Sequence, residues 1–291
     1  MLVDKTIFTI FRQGSTTYFY SSLFFPTKIR KNVFILYAFV RQADNFVDQI
    51  PQDKTGFYNF RHQFEDAWNG KQTDDIVIDS FVLLAKEKNF EKSWIDAFLD
   101  SMEMDLTKRV YQTMDDTLEY IYGSAEVIGL FMARILELVD RSFESAKYLG
   151  RSMQYINFIR DIDEDNTLGR LYFPQTELAR YGLDSLDHEY VKHHPDQFNS
   201  FMKAQIERYC GWQELAEHGY DFIPKRYLIP IKTASEMYKW TAHQIAHDPF
   251  IIYRWKVKPM ISQIITETFK SMVDIVSKKD QIHKCEEHLL H

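Results

Sequence analysis

Two pairs of aspartates in this chain share one spacing. Asp44 and Asp48 stand four residues apart in YAFVRQADNFVD, and Asp161 and Asp165 four apart in MQYINFIRDIDED. On a helix, positions four apart lie on one face, one turn above the other. Carboxylates so placed repel unless a cation sits between them. Hard oxygen donors of this kind suit Mg²⁺, which completes its shell with water and phosphate oxygens. Two such pairs on facing helices would make a metal–diphosphate clamp.

Spacing alone is a weak signal, because Asp75/Asp79 and Asp96/Asp100 repeat it. Both read as solvated surface. The Asp96–Asp100 stripe continues through Asn89, Lys92 and Glu103 beside the apolar Trp94, Ile95, Phe98 and Leu99, the wet face of an amphipathic helix. The other two stripes differ in kind. Backward steps from Asp44 reach Arg41 and Tyr37, and backward steps from Asp161 reach Asn157 and Gln154. These polar groups interrupt otherwise apolar segments, among Val33, Phe34, Leu36 and Phe39 in one case, and Met153, Ile156 and Phe158 in the other. Polar groups there must be satisfied by each other, by metal or by a ligand.

The elements that must hold them are helical. Apolar residues recur at three- and four-residue steps near 27–48, 76–88, 91–106, 115–138, 143–164, 196–218, 228–246 and 258–280, the period of a half-buried helix. Asn69-Gly70 marks a turn, Gly169 and Pro174 close the second acidic helix, and His194-Pro195-Asp196 opens a later one. No alternating strand pattern competes, so the expected fold class is all-α. Without a linker or an internal repeat, residues 1–291 read as one domain.

Composition narrows the function classes. With 45% hydrophobic and 15% aromatic residues the chain can bury a large core, and its 10 Gly and 8 Pro are too few for many tight turns. A net charge of −7 with no basic arm argues against nucleic acid. An anionic ligand would rely on metal and a few local Arg and Lys. Cys210 and Cys285 show no metal or redox spacing, so a cytoplasmic, reducing setting is expected. The opening MLVDKTIFTIFR is broken by Asp4, Lys5 and Arg12, unlike a signal-peptide core. No apolar run approaches the roughly 20 residues of a membrane span. The amphipathic segment after Pro259 either packs on the bundle, the favoured reading, or makes a peripheral membrane contact.

Four segments carry a resemblance to a known family. GSTTYFYSSLFFP is similar to a Ser-rich segment ending in Leu-Leu-Pro, and YAFVRQADNFVD to Arg-x-x-Asp-Asp-x-x-Asp. YIYGSAEVIGLFM is similar to Tyr-x-x-x-Val-Ala-Gly-x-Val-Gly. LGRSMQYINFIRDIDEDNTLGRLYFP is similar to Gly-x-Ala-x-Gln-x-x-Asn-x-x-Arg-Asp-x-x-Glu-Asp followed by Gly-Arg-x-Tyr-x-Pro. In this order they resemble the signatures of the squalene/phytoene synthase family. The resemblance implies an isoprenoid synthase bundle with a central cavity. It implies Mg²⁺, with Mn²⁺ able to substitute, on Asp44, Asp48, Asp161 and Asp165, with Asn157 as a further ligand. It implies substrate contacts from Ser15, Thr17, Tyr37, Arg41, Tyr120, Gln154, Asn157, Arg160, Tyr238 and Arg254. Most have a plainer reading: Arg41 pairs with Asp44 or Asp48, Gln154 and Asn157 are amides satisfied by backbone, Tyr37 and Tyr120 are core, and Ser15 and Thr17 cap a helix. Arg160 is favoured over Arg170 as a phosphate contact.

The chain also departs from the family pattern. Asn45 stands where the family often has a middle aspartate, and Gly14 and Thr16 where some relatives carry His and Lys. Glu126 replaces a usual glycine and is expected to narrow or polarise the cavity. The implied reaction joins two geranylgeranyl diphosphates head to head, through a cyclopropylcarbinyl diphosphate, to phytoene. The alternative is squalene or dehydrosqualene from two farnesyl diphosphates, with NADPH expected only for squalene. A non-catalytic assembly factor of the same fold is a more remote reading, disfavoured by the intact acidic pairs. INFIRDIDED does not match the second metal motif of terpene cyclases.

Overall fold

Side-chain caps fix where the helices of this chain begin. Asp4 accepts from the Thr6 N–H at 2.7 Å and opens α1 (Lys5–Gly14). Ser15 ends α1 and caps α2 (Thr16–Ser22). The first acidic helix, α3 (Thr27–Asp48), starts after Pro26. Asp53 caps α4 (Lys54–Trp68), and Asp75 caps α5 (Ile76–Glu87). After α6 (Lys92–Thr107), Thr113 and Asp116 form a reciprocal capping box that starts α7 (Met114–Ile121). The computed structural model describes residues 3–260, 262–266, 268 and 270. Among them the one isolated β-bridge joins Val110 to Leu171, and the fold is all-α as the periodicity predicts.

The second half follows the same plan. A π turn (Tyr122–Glu126) leads into α8 (Val127–Ile135), then come α9 (Phe143–Arg160) and α10 (Ile162–Thr167). Short α11 (Gln175–Arg180) and α12 (His188–Lys192) precede the long α13 (Pro195–Glu217) and α14 (Lys225–His247). A 3₁₀ turn (Pro249–Tyr253) follows α14. The predicted 258–280 helix is helical at 262–266, and its remainder lies largely outside the described residues. Helices α1, α2 and α4 were not expected, although α4 buries Phe57, Phe60, Phe64 and Ala67 at helical spacing.

Two apolar cores flank one cavity. The first is built chiefly by α1, α3–α6 and α8, with Phe39 stacked on Phe81 at 3.7 Å between ring centroids. The second is built by α7, α9, α13 and the end of α14, with Phe158 stacked on Tyr172 at 4.3 Å. Truncating one fully buried ring of this kind costs about 3–5 kcal/mol. The wall between the cores depends on small residues. A Cβ on Gly129 would stand 2.1 Å from the Ala146 carbonyl oxygen, and one on Gly150 would stand 2.2 Å from that of Ala125. Glycine alone lets α8 and the π turn lie this close to α9.

The π turn corrects two expectations. Residues 115–138 do not form one uninterrupted α-helix, and Glu126 does not line the cavity. Its carboxylate is buried and accepts from Arg151 Nε on α9 at 2.7 Å. A buried carboxylate needs such a partner, and Arg151 supplies it away from the cavity lining.

Candidate functional site

The cavity has a volume of about 750 Å³, in the upper part of the usual range for small-molecule sites. Its polarity changes along two of its helices. On α3 the lining runs from Val33 and Leu36 to Arg41, Asp44 and Asp48, and on α9 from Ala146 and Leu149 to Gln154, Asn157 and Arg160. The acidic ends face a common space, since Asp165 lies within electrostatic reach of Asp48 and Asp105. The result is an apolar chamber with one acidic mouth.

Three of the four predicted carboxylates, Asp44, Asp48 and Asp161, already meet a cation of the chain. Asp44 Oδ2 accepts from Arg41 at 2.5 Å, so the plain ion-pair reading of Arg41 holds, within the cavity lining. Asp48 Oδ1 accepts from Arg170 at 2.7 Å, and the same guanidinium donates to the Val47 carbonyl at 2.5 Å. Arg160 grips Asp161 with two hydrogen bonds of 2.8 and 2.5 Å. The Lys256 ammonium lies 3.3 Å from Asp161 and also pairs with Glu164. Burial, with help from Asp48, raises the Asp44 carboxyl above its ordinary value. Burial and then Asp161 push Asp165 up to about 8. Both pairs hold negative charge that repels itself.

Asp161 departs from the expected continuous helix. Its backbone, at φ −100° and ψ 14°, separates α9 from α10. The break is a kink, because Asp161 N–H still reaches the Asn157 carbonyl and Asp165 N–H the Asp161 carbonyl, both at 2.8 Å. Adjacent side chains on a regular helix do not face each other. The kink accompanies a grip of Arg160 on its immediate neighbour that a straight helix would not present.

Most other expected residues reach the cavity. Ser15 lines it while capping α2, accepting from the Tyr18 N–H at 3.3 Å. Tyr37 stacks on Phe11 at 4.0 Å, and the Tyr238 hydroxyl donates to that of Tyr18 at 2.8 Å. Gln154 Oε1 accepts from Asn157 Nδ2 at 3.5 Å. The Thr17 side chain lies outside the described residues. Arg254 is a correction, for it does not line the cavity and turns back to Asp248 at the start of the 3₁₀ turn. Lys256 and Lys258 line the mouth instead.

Two further groups, Asp105 and Tyr172, were not singled out beforehand. Asp105 is 2% exposed and accepts from the hydroxyls of Tyr120 and Tyr172, each at 2.7 Å. Burial pushes its carboxyl up to about 6 against the pull of Arg170, whose Nε lies 3.8 Å away. Arg170 thereby joins Asp48 to Asp105. A signal for Asp105 was present, since it follows Phe98 and Met102 on the apolar stripe of α6.

The donor set fits a hard divalent cation. It consists of carboxylate oxygens and one amide oxygen, and Asn157 Oδ1 is buried with no hydrogen-bond donor. Among the described residues no three His, Cys, Asp or Glu side chains gather into one ready-made metal site. Each pair would therefore need water or phosphate oxygens to complete a shell, the mode Mg²⁺ favours.

Comparisons agree with this geometry. A family model described as squalene/phytoene synthase matches residues 11–262. The chain is 26% identical over 240 residues to a 15-cis-phytoene synthase of Pantoea ananas, covering 78% of this chain and 77% of that one. Its fold is similar to that of a squalene synthase from Alicyclobacillus acidocaldarius, with TM-score 0.75 at 20% identity over 84% of this chain and 93% of that one. It is similar also to a dehydrosqualene synthase solved with a ligand, with TM-score 0.77 at 18% identity over 93% and 95%. The chain belongs to the squalene/phytoene synthase family of prenyl-transferring enzymes.

Proposed function

We propose that the chain condenses two geranylgeranyl diphosphates head to head to phytoene. The observation that carries this reading is the chamber itself, apolar along its length and acidic at one mouth. In this reading the mouth would take two diphosphates and the chamber two hydrocarbon tails. Asp44 and Asp48 would hold Mg²⁺ on one side, and Asp161, Asp165 and Asn157 on the other. Bound Mg²⁺ supplies Lewis acidity for departure of diphosphate. Arg41 and Arg160 present guanidinium forks matched to phosphate oxygens.

The chain's own residues then govern the carbocation. Loss of the first diphosphate leaves an allylic cation, the double bond of the second substrate attacks it, and loss of a proton closes the three-membered ring to give a cyclopropylcarbinyl diphosphate. Loss of the second diphosphate, rearrangement and loss of a proton complete the hydrocarbon. The faces of Phe158, Tyr37, Tyr18 and Tyr238 line the route and steady positive charge. The walls exclude water that would quench it.

The test is a product assay with Mg²⁺, supplying geranylgeranyl or farnesyl diphosphate separately, with and without NADPH. The expected result is a C40 hydrocarbon from geranylgeranyl diphosphate without reductant. A C30 hydrocarbon from farnesyl diphosphate alone would replace this reading with squalene or dehydrosqualene formation, the NADPH requirement deciding between them.

A further inference from the structure

The loop that follows α3 carries one glutamine where three segments meet. Gln52 Nε2 donates to the Val47 carbonyl on α3 at 2.7 Å and to the Asp105 carbonyl on α6 at 2.9 Å. Its Oε1 accepts from Arg109 at 3.0 Å, and the same guanidinium donates to the Leu168 carbonyl at 3.3 Å. Leu168 ends α10, where a cation also suits the negative end of the helix. The backbone runs alongside this link. Leu171 N–H reaches the Arg109 carbonyl at 3.0 Å, and Arg170 N–H the Asp165 carbonyl at 2.8 Å. A continuous line of bonds thus joins the turn of α3 that carries Asp48 to the helix that carries Asp165.

Those two walls need something to hold their gap. Asp48 and Asp105 lie near enough to Asp165 to disfavour its charge, so the walls repel. Arg170 opposes the repulsion, but it does so by gripping the Asp48 carboxylate itself. A cation at the mouth would have to share that carboxylate. Gln52 and Arg109 instead bind carbonyl oxygens and each other, and neither lines the cavity. Their bonds do not compete with a ligand, so they hold equally well with the mouth empty or filled. Ligand groups must be kept within about 0.5 Å of their working geometry by such supporting contacts.

We propose that Gln52 and Arg109 are positioning residues, a strut that sets the separation of the two acidic walls to the span a metal-bound diphosphate bridges. The assignment rests on the condensation reading and adds to it the residues that fix the gap without touching substrate.

Inorganic diphosphate is the probe, titrated calorimetrically into the full chain at a series of Mg²⁺ concentrations. Gln52→Leu removes all three side-chain bonds and is expected to raise the Mg²⁺ needed for half-maximal binding by about tenfold, the lower end for residues that support metal ligands. Arg109→Met is expected to raise it by about threefold, the net worth of one ordinary hydrogen bond. The double variant is expected to be no worse than Gln52→Leu alone, because the two residues act as one strut. Saturating Mg²⁺ is expected to restore binding in all three. Arg61→Met, which breaks the ion pairs of α4 to Asp100 and Glu103 on α6, is expected to lower Tm and leave the Mg²⁺ requirement unchanged. Thermal melts check that each variant is folded, and Arg109→Met carries the test if Gln52→Leu is not. An unshifted Mg²⁺ requirement in the folded strut variants, an equal shift in Arg61→Met, additive losses in the double variant, or no Mg²⁺-dependent binding by the unaltered chain would overturn the proposal. Shifted Mg²⁺ requirements in a chain that forms neither C40 nor C30 hydrocarbon would sink the condensation reading alone. Hydrocarbon formation with an unshifted requirement would sink the strut alone.

Discussion

At the scale of single residues, the site is a lattice of charges that restrain one another. Arg170 is 4% exposed and ties Asp48 on α3 to Asp105 on α6. Asp105 in turn orients Tyr120 and Tyr172. Asp105→Asn keeps the shape and one acceptor but removes the charge that faces Arg170. Partners one step removed from a metal site affect activity by about 10- to 100-fold when changed. The expected outcome is a fall in kcat of that size with little loss of thermal stability, checked by steady-state kinetics and calorimetry on one preparation. A large drop in Tm with unchanged kcat would make Asp105 a purely structural residue. The sequence showed Asp44, Asp48, Asn157 and Asp161 because polar types interrupt apolar stripes there. Asp105 interrupts its stripe in the same way, but with no second carboxylate a turn away it did not stand out. Arg254 misled because residue type was legible while the direction of its side chain, fixed by Asp248, was not.

At the scale of elements, the long helices were legible because each has a wide apolar face over several turns. α3, α13 and α14 show this most clearly. Short α1 buries only Ile7 and Phe11, too few positions to declare a period. The π turn at Tyr122–Glu126 had no signal in hydrophobic pattern, since five residues of altered pitch hardly change it. It reflects close packing with α9, where Gly150 meets the Ala125 carbonyl. Gly150→Ala puts a methyl against backbone that cannot swing aside. Overpacking of this kind costs about 1–3 kcal/mol, to be read as a lowered denaturation midpoint with an unchanged slope. Because the same stretch of α9 carries Gln154 and Asn157, activity is expected to fall with stability. A Gly150→Ala protein as stable as the original would show that α9 is free to move away from the π turn.

At the scale of the whole molecule, folding gathers carboxylates from distant parts of the chain around one mouth, and the cost of that gathering depends on pH. Asp165 titrates at about 8 and Asp105 at about 6, both above the ordinary 3.8. Between about pH 4 and 8 the folded chain therefore holds protons that the unfolded chain has released. Stability without metal is expected to fall as pH rises across that window and to level off above it. Asp66 and Asp116, held low by surface partners, titrate below the window and do not offset the trend. A divalent cation binds the deprotonated carboxylates, so its stabilising effect must grow as pH rises through the same range. Tm measured with and without Mg²⁺ from about pH 6 to 8.5 checks both slopes. Asp165→Asn should make the metal-free curve shallower above about pH 6.5, where Asp44 still contributes, and shrink the Mg²⁺ effect, because it removes the group with the highest titration point. A metal-free Tm that climbs with pH, or an Mg²⁺ shift independent of pH, would mean that these carboxylates are ionised and paired within the chain, with no cation required to hold the mouth together.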